Sequence, residues 1–268
     1  MQITVNKHST YCYTGGKQLD PAKPSVVFIH GVLNDHSVWI LQSRYMANHG
    51  WNVLAVDLPG HCKSAGAPAA SVEEAAGFII ALLDAAGIKK AALVGHSFGS
   101  LVALEVAGSA PERVSQLVLA GTAFPMKVSP ALLETSLNQP LKAIDVVNIF
   151  SHSMLAPPPS ALGPGTWLYG SSKALMKRVL ASNTACNLFH TGFKACDDYT
   201  GGDCAMEKTQ CDVLFILGRN DQMTTPKAAQ SLISGAARGK VVMLEAGHQL
   251  MTEAPDGVLF ALKDFLRP

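Results

Sequence analysis

The chain reads as an α/β protein, a mostly parallel sheet with helices on both faces. Three observations predict this. Short β-branched or aliphatic runs recur along the sequence, none of them alternates polar with apolar residues, and helical patterns lie between most of them. A strand that is apolar on both sides of its pleat is covered on both faces, as in a parallel sheet. Alternating strands and helices connect such a sheet.

The runs are Val26–Ile29, Val53–Val56, Ala91–Val94, Leu117–Ala120, Val213–Leu217 and Val241–Leu244. A helix is expected after Ser71, which with Glu74 has the spacing of a capping box. Ala75, Ala76, Ile79, Ile80, Leu83 and Ala86 form its apolar stripe. Another follows Ser97, with Leu101, Val102 and Leu104 at helical spacing as far as Pro111. The last starts near Thr252 and Pro255 and buries Val258, Leu259, Leu262, Phe265 and Leu266.

One segment breaks the rhythm. Between Phe124 and Gln210 no core strand is evident, and helices are expected over 129–137, 141–150, 171–182 and 184–195. The sequence therefore divides into a core, 1–123 and 212–268, and a helical cap, 124–211, inserted over the carboxyl edge of the sheet. Open α/β sheets bind ligands at that edge. The competing reading is a small helical domain with no part in the site.

Composition bounds the partners. At 268 residues, 48% apolar and 15% charged, the chain is globular, and its net charge of +1 favours neither nucleic acid nor an acidic membrane surface. Its six cysteines show neither a C-x-x-C pair nor zinc-site spacing with histidine. Residues 1–7 lack the apolar stretch of a signal peptide. The longest apolar stretch, 75–88, is interrupted by Asp84 and too short to cross a membrane. Free thiols and a cytoplasmic location are expected.

The chemistry centres on Gly95-His96-Ser97-Phe98-Gly99, between a strand run and a helix pattern. A serine on such a sharp turn is thrust outward, and the Phe98 amide lies at the positive end of the new helix. A nucleophilic serine needs a base, and the base needs an orienting acid. His248 lies in a loop just beyond the last strand run, and Asp221 follows Val213–Leu217. Asp57 is the rival acid, but Leu58-Pro59-Gly60 follows it, a turn on which a carboxylate commonly caps amides. Asp145, Asp197, Asp198 and Asp203 cannot be placed. The second oxyanion donor is expected to be the Val32 amide, in His30-Gly31-Val32, with His30 as support.

Together these residues resemble the α/β-hydrolase fold family, in its capped, single-domain esterase form. The resemblance rests on His30-Gly31-Val32, Asp57 to His61, Gly95 to Gly99, Gly218 to Asp221 and Gly247-His248, and it covers about residues 24–123 and 212–268. It implies a mostly parallel eight-stranded sheet and acyl-transfer chemistry without metal or organic cofactor. Cys62 and Ser100 stand where the family commonly has glycine. A serine in place of the family's aspartate nucleophile argues against dehalogenase and epoxide hydrolase activity.

The expected function is hydrolysis of a carboxylic ester, thioester or lactone of a small molecule. Catalysis falls to Ser97, Asp221 and His248, and the oxyanion to Val32 and Phe98. Phe124, Met126, Phe150, Met154, Leu155 and Trp167, in a segment with few charges, are candidates to hold an apolar substrate group. The competing functions are carbon–carbon bond hydrolysis, lyase or perhydrolase chemistry on the same triad, and a slow-turnover ligand receptor.

Overall fold

The computed structural model describes residues 1–153 and 167–267. Among them, eight strands form one sheet: β1 (Gln2–Val5), β2 (His8–Tyr13), β3 (Ser25–Ile29), β4 (Asn52–Val56), β5 (Ala91–His96), β6 (Val114–Ala120), β7 (Asp212–Gly218) and β8 (Gly239–Leu244). Their order is β1-β2-β4-β3-β5-β6-β7-β8. The β1–β2 and β2–β4 pairs are antiparallel and all others are parallel. The register sets Ile29 beside Gly95, His96 beside Ala120, and Gly218 beside Leu244. The loops that leave β3, β5, β6, β7 and β8 thus emerge along one edge.

All six apolar runs lie in strands, β3 to β8. The hairpin β1–β2 was not anticipated. It alternates, with Ile3, Val5, Thr10 and Cys12 buried between more exposed neighbours, so it lacks the continuous apolar signal of the central strands. The expectation of two-sided cover fails at β8. It is an edge strand, and Val241 and Met243 stand exposed on it.

Helices cover both faces: α1 (Ile40–Asn48), α2 (Val72–Ala85) and α3 (Phe98–Ser109) precede the insert. Ser71 caps α2 by accepting from the Glu74 amide, while the Glu74 carboxylate accepts from the Ala70 amide, one residue short of a closed capping box. α3 is buried almost all round.

Between β6 and β7 come α4 (Pro130–Asn138), α5 (Pro140–Ser151), α6 (Leu168–Ala181), α7 (Leu188–Asp198) and α8 (Gly202–Lys208). Ile144, Val147, Met176, Val179, Leu188, Phe189 and Phe193 form a cluster of their own, closed below by Leu33 from the loop after β3. α8 was not anticipated and packs elsewhere: Ala205 and Met206 join the main core, and Gly108 of α3 has no room for a Cβ beside Ala205. The rest of the core is α9 (Gln230–Gly235), α10 (Leu250–Glu253) and α11 (Pro255–Phe265). No helix among the described residues is long and apolar enough to cross a membrane. All six cysteines are unpaired.

Candidate active site

Ser97 sits between β5 and α3 at φ 53° and ψ −120°, a strained backbone for a residue with a side chain. Two glycines make the turn possible. A Cβ on Gly95 would lie on the Gly99 carbonyl and 2.7 Å from Ser100 Cα, and one on Gly99 would lie 2.6 Å from the His30 oxygen. The Ser97 amide donates to the Ala120 carbonyl at 3.0 Å. Its carbonyl accepts from the Ser100 amide at 2.8 Å and lies 2.5 Å from Ser100 Oγ. Ser100, a departure from the family's glycine, is fully buried as part of this brace.

His248 leaves β8 through Glu245-Ala246-Gly247. Its Nδ1 donates to Asp221 Oδ2 at 2.9 Å and lies 3.0 Å from Thr224 Oγ1. Asp221 Oδ1 accepts from the Met223 and Thr224 amides, both at 2.8 Å, and Oδ2 also accepts from Thr224 Oγ1 at 2.8 Å. Burial alone would raise the Asp221 carboxyl, but His248 beside it and these donors outweigh burial, so it stays below the ordinary carboxylate value. The bond through Nδ1 leaves Nε2 as the free nitrogen of His248. Ser97 and His248 line one cavity, with Asp221 behind the histidine.

The Val32 and Phe98 amides make no hydrogen bond among the described residues. For Phe98 the reason is its place at the start of α3, where amides lack helical partners. For Val32 it is the preceding carbonyl. Leu58 N–H donates to His30 Nε2 at 3.1 Å, so the His30 proton is on Nδ1, which lies 2.8 Å from the Gly31 oxygen. The Asn34 amide donates to the same oxygen at 3.2 Å. In a trans peptide the N–H points opposite to the C=O, so holding Gly31 C=O back aims Val32 N–H forward. Gly31 is close enough to Ser97 that a Cβ there would lie 3.1 Å from Ser97 Cβ.

The other candidates fall elsewhere. Asp57 accepts from the His36 amide and His36 Nδ1 on Oδ1 and from the Lys63 amide on Oδ2, so both its oxygens are taken. Asp145 pairs with Lys173 and Asp198 with Lys194, while Asp197 holds the Val128 amide. Phe124 packs on Tyr199 and against Gly202, and Met126 is in the main core. Phe150 and Trp167 face solvent, Trp167 stacked on Tyr169. None of these four lines the cavity at Ser97, and Met154 and Leu155 lie outside the described residues. A low-charge segment with large apolar residues signals packing as readily as binding. The lining residues follow helix phase instead: Val147 and Ser151 are one turn apart on α5, as are Phe189 and Phe193 on α7, with Met176 between them.

Sequence reasoning also passed over Thr224, Asn34, Met223, Gln249 and His96. Thr224 and Gln249 had a signal, since each lies within three residues of Asp221 or His248. His96 Nε2 donates to the His248 carbonyl at 2.9 Å, and burial, then the neighbouring His248, pushes its pKa down to about 3. Cys62, the other departure, has a positive φ of 46°, the conformation that favours glycine, and its thiol lies 3.4 Å from Asp35 Oδ2.

Asp35, His36 and Asp57 are the one trio among the described residues whose ligand-type atoms lie within 4.8 Å of one another. Their oxygens already have donors: Asp35 takes Ser37, Cys62 and Arg178 Nη2 at 2.7 Å, and Asp57 takes His36 and Lys63. The trio reads as a hydrogen-bonded brace under the insert.

The family model described as alpha/beta hydrolase fold matches residues 24–255. The chain belongs to the α/β-hydrolase fold family. Its relatives are varied. The dihydrolipoyllysine-residue acetyltransferase component of the acetoin cleaving system of Pseudomonas putida is 41% identical over 99 residues, 37% of this chain and 26% of that protein. The chain thus spans about a quarter of that relative's length. The (E)-2-((N-methylformamido)methylene)succinate hydrolase of Acinetobacter baylyi is 23% identical over 99% of this chain and 97% of its own. The crystal structure of the enol-lactonase from Burkholderia xenovorans LB400 superposes with a TM-score of 0.83 at 21% identity, over 99% of both chains. At that identity the likeness is one of fold.

Proposed function

We propose that the protein is a serine hydrolase that cleaves a carboxylic ester, or a related thioester or lactone, through an acyl-enzyme. The observation that carries the reading is the His248–Asp221 pair, Nδ1 to Oδ2 at 2.9 Å, beside a cavity shared with a serine on a strained strand-to-helix turn. His248 Nε2 takes the proton from Ser97 Oγ, which attacks the ester carbonyl carbon. The carbonyl oxygen becomes an oxyanion held by the Val32 and Phe98 amides. The tetrahedral intermediate collapses, the alcohol leaves with the proton from His248, and Ser97 keeps the acyl group. Water gives a proton to the same nitrogen and attacks the acyl carbon, and as the second tetrahedral intermediate collapses His248 returns that proton to Ser97 Oγ, releasing the acid and the free serine.

Asp221 keeps the imidazole in the tautomer with the proton on Nδ1 and stabilises the imidazolium. Each oxyanion donor is worth about 10²–10³ in rate in comparable sites. Residues 124–211 act as the cap, although α8 is fastened to the core. The named activities of the relatives, a lactonase, a hydrolase and an acetyl-transfer component, accord with chemistry at an acyl bond.

The test is Ser97→Ala. Turnover of p-nitrophenyl acetate and butyrate is expected to vanish, together with labelling by a fluorophosphonate probe, while the circular dichroism spectrum and melting temperature are retained. Undiminished activity in that variant would remove the assignment.

A further inference from the structure

The cavity at Ser97 carries no fixed charge. Apolar residues, among them Val147, Met176, Phe189 and Met223, make most of its wall, and three neutral polar residues interrupt it: Asn34, Ser151 and Gln249. Their exposures are 4%, 1% and 7%. The Ser151 hydroxyl is enclosed without a hydrogen-bond partner among the described residues. The side chains of Asn34 and Gln249 line the same cavity, and their amides are not among the fully enclosed polar atoms, so they are open to it. The three come from separate elements, and the Gln249 amide N–H donates to the Ser151 carbonyl at 3.0 Å, which sets those two side by side.

No lysine or arginine lines the cavity among the described residues, and Arg178 and Lys173 of the insert are paired with Asp35 and Asp145. His96, the second histidine of the lining, stays neutral. Residues 154–166 read Met-Leu-Ala-Pro-Pro-Pro-Ser-Ala-Leu-Gly-Pro-Gly-Thr, so they have no ionisable side chain to offer. Buried amides and hydroxyls without partners are unfavourable, and a ligand that pairs with them recovers that free energy. A carboxylate in the same place would lose its water and meet no cation.

We propose that Asn34, Ser151 and Gln249 form a specificity subsite for uncharged esters bearing a hydroxyl, keto or amide group close to the scissile bond, and that the cavity rejects substrates bearing a carboxylate. The proposal rests on the reading of Ser97 as the nucleophile and names the substrate class for it.

Two matched pairs of methyl esters, followed by pH-stat titration at pH 8, test it. Dimethyl and monomethyl succinate differ by one methyl group and one negative charge, and the neutral diester is expected to have a kcat/KM about 10²-fold higher. Methyl 3-hydroxybutyrate and methyl butyrate differ by a hydroxyl, and the hydroxy ester is expected to lead by about tenfold or more. That second ratio falls toward one in Asn34→Ala, Ser151→Ala and Gln249→Ala; if one variant does not fold, the other two carry the comparison. Equal rates on the two succinates overturn the subsite, as does a hydroxyl preference that survives in every folded variant. Turnover independent of Ser97, or none on any of the four esters, overturns the underlying esterase reading and the subsite with it.

Discussion

Thr224 lies three residues after Asp221, a spacing that marks it in the sequence. Its hydroxyl donates to Asp221 Oδ2 and lies 3.0 Å from His248 Nδ1, so it sits at the joint between the proposed acid and the proposed base. Thr224→Val keeps the branched shape and removes the hydroxyl. The expected result is a loss of about tenfold in kcat on p-nitrophenyl butyrate with little change in KM, since the group acts through His248 and touches no substrate. Asp221→Asn is far more damaging, about 10³–10⁴-fold in kcat, because an amide facing Nδ1 favours the wrong tautomer. Both losses should appear in stopped or continuous assays with the melting temperature near that of the parent. At Gly99 the effect is on the fold. A Cβ there meets the carbonyl oxygens of Ile29 and His30, backbone atoms that cannot turn aside, so Gly99→Ala is expected to lower the melting temperature by many degrees or to prevent folding.

Among the elements, the contact between the loop after β3 and α6 is one of the ties that hold the insert. Asp35 is buried, and its Oδ2 accepts from Arg178 Nη2 at 2.7 Å. Burial alone would raise its carboxyl, yet the bonds from Ser37 and Arg178 hold it well below the usual range. Ser182 Oγ accepts from the Cys62 amide at 3.0 Å, and Asn183 Nδ2 donates to the Gly60 carbonyl at 3.1 Å. Arg178 is largely exposed, so Arg178→Ala should cost only about 1–2 kcal/mol, mainly through the buried carboxylate left short of a donor. Chemical denaturation measures it, and faster proteolysis within residues 124–211 is the companion expectation. These ties also show what was legible beforehand. The central strands were visible because two-sided burial needs unbroken apolar runs, and the expected trio of Ser97, Asp221 and His248 could be picked out because each lies within four residues of a strand's carboxyl end. The wall of the cavity at Ser97 was not, because Val147, Ser151, Phe189 and Phe193 share a side only once the phases of α5 and α7 and their docking on Leu33 are known. Nor was the hairpin β1–β2, whose alternation is the mark of a half-buried strand.

Across the whole molecule, three buried histidines set the acid limit. Burial lowers the pKa of His30, His61 and His96, to about 4 for His61 and about 3 for His96. In the unfolded chain each binds a proton at about pH 6.5. Below that pH the unfolded state therefore holds more protons than the folded one, and stability falls as pH falls from 6.5 toward the folded values. With two to three protons taken up on unfolding near pH 5, the slope is about 3–4 kcal/mol per pH unit. Melting curves between pH 7.5 and 4.5 should show this decline, and His61→Asn should make it shallower. A melting temperature constant over that range would mean that the three rings do not fold as neutral groups.

Glu253, at the end of α10, receives the Gly247 amide at 3.0 Å and the Ser153 amide at 3.1 Å, and it also bonds the Ser153 hydroxyl. One carboxylate thereby fastens the residue before His248 to the residue two beyond the end of α5. A guest bulky enough to lever α5 outward pulls on the same knot that steadies the base. On the proposed reading, an ester large enough to displace α5 is therefore expected to lose kcat as well as affinity.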